Sequence, residues 1–283
     1  MVNLTNLPPI SSHSGTKTHN PHGRFSDRYD YLPGPCLIMK RMALLVIIIL
    51  LDACGVPQSS TPAPTPQAIH LTFPTALESW ANKLGGCASI DPLVALYLDQ
   101  SNTLNTGLQP NNIVLELGQT DPSDRAGYRS QVGREQIVVV VNQKNPISKL
   151  TGAELRLIFS GQQSTWNDSS ANPIQVWVLP EGDPARVIFD QNVLQTQPLT
   201  TQAMLAPDPT AMLEAISKDV NSIGYLPASF LHSSGSINPG EVNILQLDKP
   251  VETSLDQPVV ALTQAEPQSL LRSLLVCLEA DPP

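Results

Sequence analysis

The chain has 283 residues, 41% of them hydrophobic, with 25 acidic against 16 basic side chains and a formal net charge of −9. That is enough apolar chain for one large domain or two smaller lobes around real cores. The acidic balance argues against nucleic acid or anionic lipid headgroups as the main partner. Of the five histidines only His70 and His232 follow residue 54, too few for a metal cluster or a histidine relay.

Residues 1–38 are rich in Ser, His, Pro and Gly and show no apolar period, so they read as a leader without packed structure. They stand in front of a signal, which predicts that translation begins at Met39 or Met42. Residues 39–53 are that signal: Lys40 and Arg41 precede the apolar run Met42–Leu51. About ten helical residues cover roughly 15 Å, half of a ~30 Å hydrocarbon core, so the run does not span a membrane. Leu51-Asp52-Ala53-Cys54 resembles the bacterial lipobox, in which the cysteine sulfur is lipidated and the chain is cleaved before it; Asp52 departs from the usual small or apolar residue. Residues 54–67, rich in Pro, Ser and Thr, read as a semi-extended tether. The expected location is the outer face of the cytoplasmic membrane, held by a lipid on Cys54. Of the four cysteines Cys36 lies in the leader, and for Cys87 and Cys277 two readings stand: a disulfide in an oxidising compartment, or two small buried thiols.

After the tether, Ile69–Phe73 reads as a strand and Thr75–Leu84 as a helix presenting Leu77, Trp80, Ala81 and Leu84 on one face. Leu93–Leu98 and Ile113–Leu117 are further strands that exit into polar loops. Gln136–Val141 is a β-branched run suited to burial on both faces. Arg125, Arg129 and Arg134 before it form a modest basic cluster with two readings, a solvated loop or the lining of a ligand cleft. Thr151 and Glu154 form a capping box for a helix that Gly161 stops, with Leu150 and Leu155 as its staple. Ile174–Leu179 is a strand, and Asp183-Pro184 and Asp208-Pro209 each place a cap before a proline at the first helical position. Ile223–Leu226 and Val242–Leu247 are strands, and Pro267 opens a last helix with Leu270, Leu271, Leu274, Leu275 and Leu278 on one face. Strands alternating with helices predict an α/β architecture with a mostly parallel sheet. Gln136–Val141 and Val242–Leu247 bracket a self-contained block, which suggests one lobe (142–240) joined through a two-strand hinge to another (68–141 with 241–283).

Ile137-Val-Val-Val-Val-Asn-Gln-Lys-Asn-Pro146, Leu150–Gly161, Thr165-Trp-Asn-Asp168 and Pro173-Ile-Gln-Val176 resemble the central stretch of ABC-transporter phosphate-binding proteins. Ser222-Ile-Gly-Tyr-Leu226 is similar to a later strand of that family, and Leu71-Thr-Phe-Pro74 more loosely to its first ligand loop. The resemblance implies a two-lobed clamshell of the type II periplasmic-binding-protein kind, a monomer without cofactor, metal or catalytic residues, that captures a small solute and delivers it to an ABC permease. Backbone N–H groups and hydroxyls at helix N-termini solvate an anion without a cationic surface, so an acidic protein can hold phosphate. Carried over by position, the ligand residues are Thr72 and Phe73, Ser101, Thr120 and Asp121, with Asp183 and Arg186 in the Glu181–Arg186 turn.

That turn departs from the family, which places an arginine and a Ser-Gly-Thr turn there. Asp183 is expected to cap its own helix and engage the donors an anion needs, Pro184 removes one donor, and Glu181 adds repulsion. Each of Thr72, Ser101 and Thr120 also has an ordinary reading as a turn or cap former, Asp121 as an Asp-Pro turn and Arg186 as a solvated helix residue. Phosphate or another small solute, with hydroxyl-bearing or neutral compounds tolerated better, are both open as ligand. The competing class is a non-transport lipoprotein with a degenerate site, serving as a sensor or interaction module. The sequence carries no Gly-x-Ser-x-Gly elbow, P-loop or His-Glu-x-x-His, and no enzymatic activity is expected.

Overall fold

The computed structural model describes residues 65–102, 108–118, 127–166, 172–233, 241–280 and 282–283. The leader, the signal, Cys54, the tether up to residue 64, Thr120, Asp121, Arg125 and Asp168 lie outside them. No described helix is long and apolar enough to cross a membrane.

Strand β1 (Gln67–Phe73) buries Ile69, Leu71 and Phe73 on a period of two. A 3-10 turn (Thr75–Leu77) leads into helix α1 (Glu78–Ser89), and together they bury Leu77, Trp80, Ala81 and Leu84 as their spacing predicts. The helix runs beyond Leu84 to Ser89, because Cys87 and Ala88 are buried too. Cys87 is joined to Cys277 with their Cα atoms 6.1 Å apart, so of the two readings the disulfide is the one seen. Strands β2 (Val94–Gln100) and β3 (Asn112–Leu117) lie parallel to β1 on its two sides, in registers Phe73↔Gln100 and Thr72↔Val114.

Strand β4 (Tyr128–Asn142) is far longer than its apolar run. Its first half pairs antiparallel with β11 (Asp256–Thr263), and its second half with β8 (Ser222–Pro227) and β9 (Val242–Ile244). The first half escapes the hydrophobic pattern because it reads Arg129, Ser130, Gln131 and Arg134, polar residues whose backbone is held by β11. Arg129 and Arg134 are therefore strand residues rather than loop residues, which corrects the expectation. Strand β11 is itself hidden by Pro258, a residue that usually argues against a central strand; here the ladder is interrupted by a bulge one residue on, at Val259/Val260.

The other elements are β5 (Lys149–Leu150), α2 (Gly152–Phe159), β6 (Gln175–Val178), α3 (Pro184–Phe189, continued as a π-turn Asp190–Leu194), β7 (Met204–Leu205), α4 (Pro209–Lys218), α5 (Ser229–Ser233), β10 (Gln246–Leu247), α6 (Lys249–Ser254) and α7 (Ser269–Ala280). The capping box at α2 is formed in both directions, and Gly161 follows with φ of +79°. The expected strand Val242–Leu247 is broken at Leu245, so β9 pairs with β4 while β10 pairs with β5. The nine-stranded sheet has the order β2-β1-β3-β11-β4-β8-β6-β7, with β9 also on β4. Pairing is parallel on both flanks, and the antiparallel pairs gather around β11 and β4. This is the mixed α/β clamshell architecture expected, with a single strand, β4, running through both halves of the sheet. In the second half Phe189 of α3 stacks on Tyr225 of β8 with ring centroids 3.9 Å apart, which fixes α3 against the sheet.

Candidate functional site

The parallel pairing of β1, β2 and β3 brings their carboxyl ends side by side, the place where such sheets bind ligands. A cleft of about 690 Å³ opens there. One wall comes from Asn102 after β2, from Glu116, Leu117 and Gly118 at the end of β3, and from Arg134, Asp256, Gln257 and Pro258 of the β4–β11 pair. The other comes from α3 and its π-turn: Gly182, Pro184, Val187, Ile188, Gln191 and Asn192. The walls draw close at Gly118, whose added Cβ would lie 3.5 Å from Ile188 Cδ1 and 3.4 Å from Gln257 Oε1; its φ of +88° also favours glycine.

Among the described residues, five backbone donors in and behind the walls of this cleft are engaged within the chain. Thr75 N–H, at the start of the turn after β1, donates to Asn102 Oδ1 at 3.0 Å. Ser101 N–H donates to Phe73 O at 2.9 Å, and Gly118 N–H to Pro258 O at 2.9 Å. Buried just behind the opposite wall, Asp183 Oδ1 accepts from Ala185 N–H at 2.9 Å and from Arg186 N–H at 3.4 Å, while Pro184 on the wall has no N–H to offer. The expectation that Asp183 caps its own helix thus holds in detail. Its Oδ2 is buried without a hydrogen-bond partner among the described residues. Burial pushes the Asp183 carboxyl up to about 6, against the lowering effect of the Ala185 and Arg186 amides.

The side chains in the cleft are also largely paired. Arg186 turns away from the cleft: its Nε donates to Asp190 Oδ2 at 2.6 Å and its Nη1 to Leu179 O at 2.9 Å. Burial raises Asp190 above the ordinary carboxylate range even so. Glu116, 3% exposed on the cleft wall, accepts from Arg129 Nη1 at 3.4 Å. Arg134 at the mouth reaches Asp256 twice, by Nε to Oδ2 at 2.8 Å and by Nη2 to the backbone O at 2.7 Å. Among the described residues four primary amides line the cleft beside these two ion pairs: Asn102 accepts from Thr75 N–H, Asn192 Nδ2 donates to Ile188 O at 2.8 Å, Gln257 Nε2 donates to Ser254 O at 2.6 Å, and Gln191 stands with them.

Among the residues proposed from sequence, Ser101 and Asp183 stand beside the cleft through Asn102 and Gly182, whereas Thr72 and Phe73 are buried in the sheet at 5% exposure each. Asn102, Gln191, Asn192, Gln257 and the two ion pairs are not legible in the sequence, since α3 continues past Phe189 as a π-turn and Pro258 masks β11. Among the described residues no group of three or more His, Cys, Asp or Glu side chains is placed to hold a metal ion.

The sheet order, the strand shared by its halves and the cleft at the strand ends define a periplasmic-binding-protein architecture. Residues 124–272 match the model of the PBP superfamily domain, and the chain belongs to that superfamily. Its fold is similar to that of a putative phosphate ABC transporter substrate-binding protein with bound phosphate from Clostridium perfringens, at 15% identity and a TM-score of 0.60, covering 75% of this chain and 93% of that one. An ABC-type phosphate transport receptor from Vibrio cholerae gives 16% identity and a TM-score of 0.55 over 76% and 94% of the two chains. The CcmR regulatory domain of Synechocystis PCC6803, in complex with 2-PG, gives 16% and 0.53 over 75% and 96%. The resemblance drawn from the Ile137–Val176 stretch is thus borne out at the level of the PBP superfamily, and the fold is that of phosphate-binding proteins.

Proposed function

We propose that the protein is an extracytoplasmic solute-binding component of an ABC importer, tethered by a lipid on Cys54, with lobes 68–141 plus 241–283 and 142–240 closing on a small solute. The observation that carries this reading is the open cleft of about 690 Å³ between the β3–β11 wall and α3, of a size suited to a small ligand. The fold likeness to two phosphate transport receptors supports the transport role, and the Cys87–Cys277 disulfide suits an oxidising compartment. The site residues of this reading are Asp183 and Ser101 as framework, with Thr120 and Asp121 on the segment that follows Gly118. Arg186 serves α3 rather than the ligand.

A thermal-shift screen of the purified protein against phosphate, sulfate, sugars, polyols and amino acids tests it. A true ligand at one hundred times its Kd adds about 2.7 kcal/mol of stability. One specific observation favours the second reading, a sensor or interaction lipoprotein that has lost transport: among the described residues, the N–H groups of Thr75, Ser101, Gly118, Ala185 and Arg186 are engaged within the chain. A protein whose stability no member of the panel changes is the sensor.

A further inference from the structure

The geometry points to a cleft that selects a neutral, hydroxyl- or amide-bearing solute and excludes oxyanions, with Asp183 and Asn102 as its specificity-determining residues. This rests on the solute-binding reading above and names the class of ligand that the same site takes. An oxyanion loses its hydration shell on entering a cleft and needs several inward N–H donors in exchange. Here Thr75, Ser101, Gly118, Ala185 and Arg186 each give their N–H to an oxygen of the chain itself. At Thr75 and at Ala185 and Arg186 that oxygen belongs to a side chain, Asn102 or Asp183. An anion would have to displace a buried carboxylate from its own cap, and it would meet that charge at close range while doing so.

The surviving polar groups suit a different guest. A primary amide has two N–H donors and an accepting carbonyl, so Asn192 and Gln257, which spend one N–H each on Ile188 O and Ser254 O, still match, with Gln191, hydroxyl or amide groups that both donate and accept. The two ion pairs, Arg129–Glu116 and Arg134–Asp256, leave no net charge to attract an ion. Ile188 and Val187 supply apolar surface for a carbon skeleton.

Isothermal calorimetry at about pH 7.5, where the Asp183 carboxyl is ionised, tests this with inorganic phosphate, sulfate, and a panel of monosaccharides, polyols and uncharged amides. The expected result is no heat from either anion up to millimolar concentration and sub-millimolar binding of at least one neutral probe, weakened tenfold or more in Gln257→Ala or Gln191→Ala. Asp183→Gly, which frees two donors and removes the charge, gains detectable phosphate binding, whereas Asp183→Asn, which keeps the cap, does not. Sub-millimolar phosphate or sulfate binding by the unaltered protein overturns the inference and leaves the solute-binding reading standing. An Asp183→Gly protein that is folded by circular dichroism yet still silent to phosphate overturns the role of Asp183. Silence toward every probe overturns both this inference and the solute-binding reading.

Discussion

The indole N–H of Trp80 donates to Oε2 of Glu135 at 2.6 Å, fully inside the protein, at the point where β4 passes from its β11 partner to its β8 partner. The other oxygen of the same carboxylate accepts from the backbone N–H of Ser229 at 3.1 Å, at the start of α5. Glu135 therefore ties helix α1, the middle of the shared strand and the segment leaving β8 into one network. The fit is close: a Cβ on Gly133 would fall 2.3 Å from Trp80 Cη2.

Because an amide has one acceptor where a carboxylate has two, Glu135→Gln turns an N–H toward one of these donors. It should lower stability by about 1–3 kcal/mol, and Trp80→Phe, which strands the carboxylate oxygen, by a similar amount. The double variant should lose less than the sum, since the two share one bond. Urea unfolding of the four proteins measures this, and strict additivity would mean that the contact does not couple them.

The buried carboxyls Asp183 and Glu135 should favour the fold in mild acid. Asp183 has its folded-state pKa raised to about 6 from 3.8, so its contribution is fully present below about 4 and is lost as pH rises through about 6, on the order of 2–3 kcal/mol. Burial raises Glu135 as well, despite the bonds from Trp80 and Ser229, and works in the same direction. Asp183→Asn keeps a good N-cap. It should match the unaltered protein at about pH 4 and exceed it at about pH 8, a divergence that thermal unfolding across this range would show.

Much of the fold is open to reading from the sequence, and what is hidden has physical reasons. The Ile137–Val141 region reads plainly as a buried strand because burial on both faces demands β-branched residues throughout; likewise the Thr151–Glu154 box and the Asp183-Pro184 and Asp208-Pro209 caps are local chemistry that survives folding unchanged. Tyr128–Glu135 is illegible as strand, since its ladder is set by β11, far away in the chain, and not by its own pattern. The cleft amides are hidden for the same reason: Asn102 and Gln257 gain their meaning only when the ends of β2 and β11 meet α3.

Reducing the Cys87–Cys277 bond, or replacing both residues by Ser, should cost about 2–4 kcal/mol, because it frees a loop of 190 residues in the unfolded chain. In a domain of this size that corresponds to a fall in Tm of roughly 6–12 °C. Calorimetry with and without reductant checks it, and an unchanged Tm would show that the bridge is not formed in solution.

If Cys54 carries the lipid, Cys54→Ala should move the protein from the membrane fraction to the soluble one without altering its unfolding curve, since the tether separates it from the described fold. Fractionation followed by immunoblotting reads this directly; a variant that stays in the membrane would point to another anchor.

The central claim, a solute cleft whose anion donors are satisfied from within, is tested most directly by amide hydrogen exchange at Ala185 and Arg186 and along Gly182–Asn192 and Asp256–Pro258. The prediction is that phosphate at millimolar concentration leaves exchange at Ala185 and Arg186 unchanged, while a neutral probe that shifts the unfolding temperature slows exchange on both walls. Phosphate that slows exchange at Ala185 and Arg186 would contradict it.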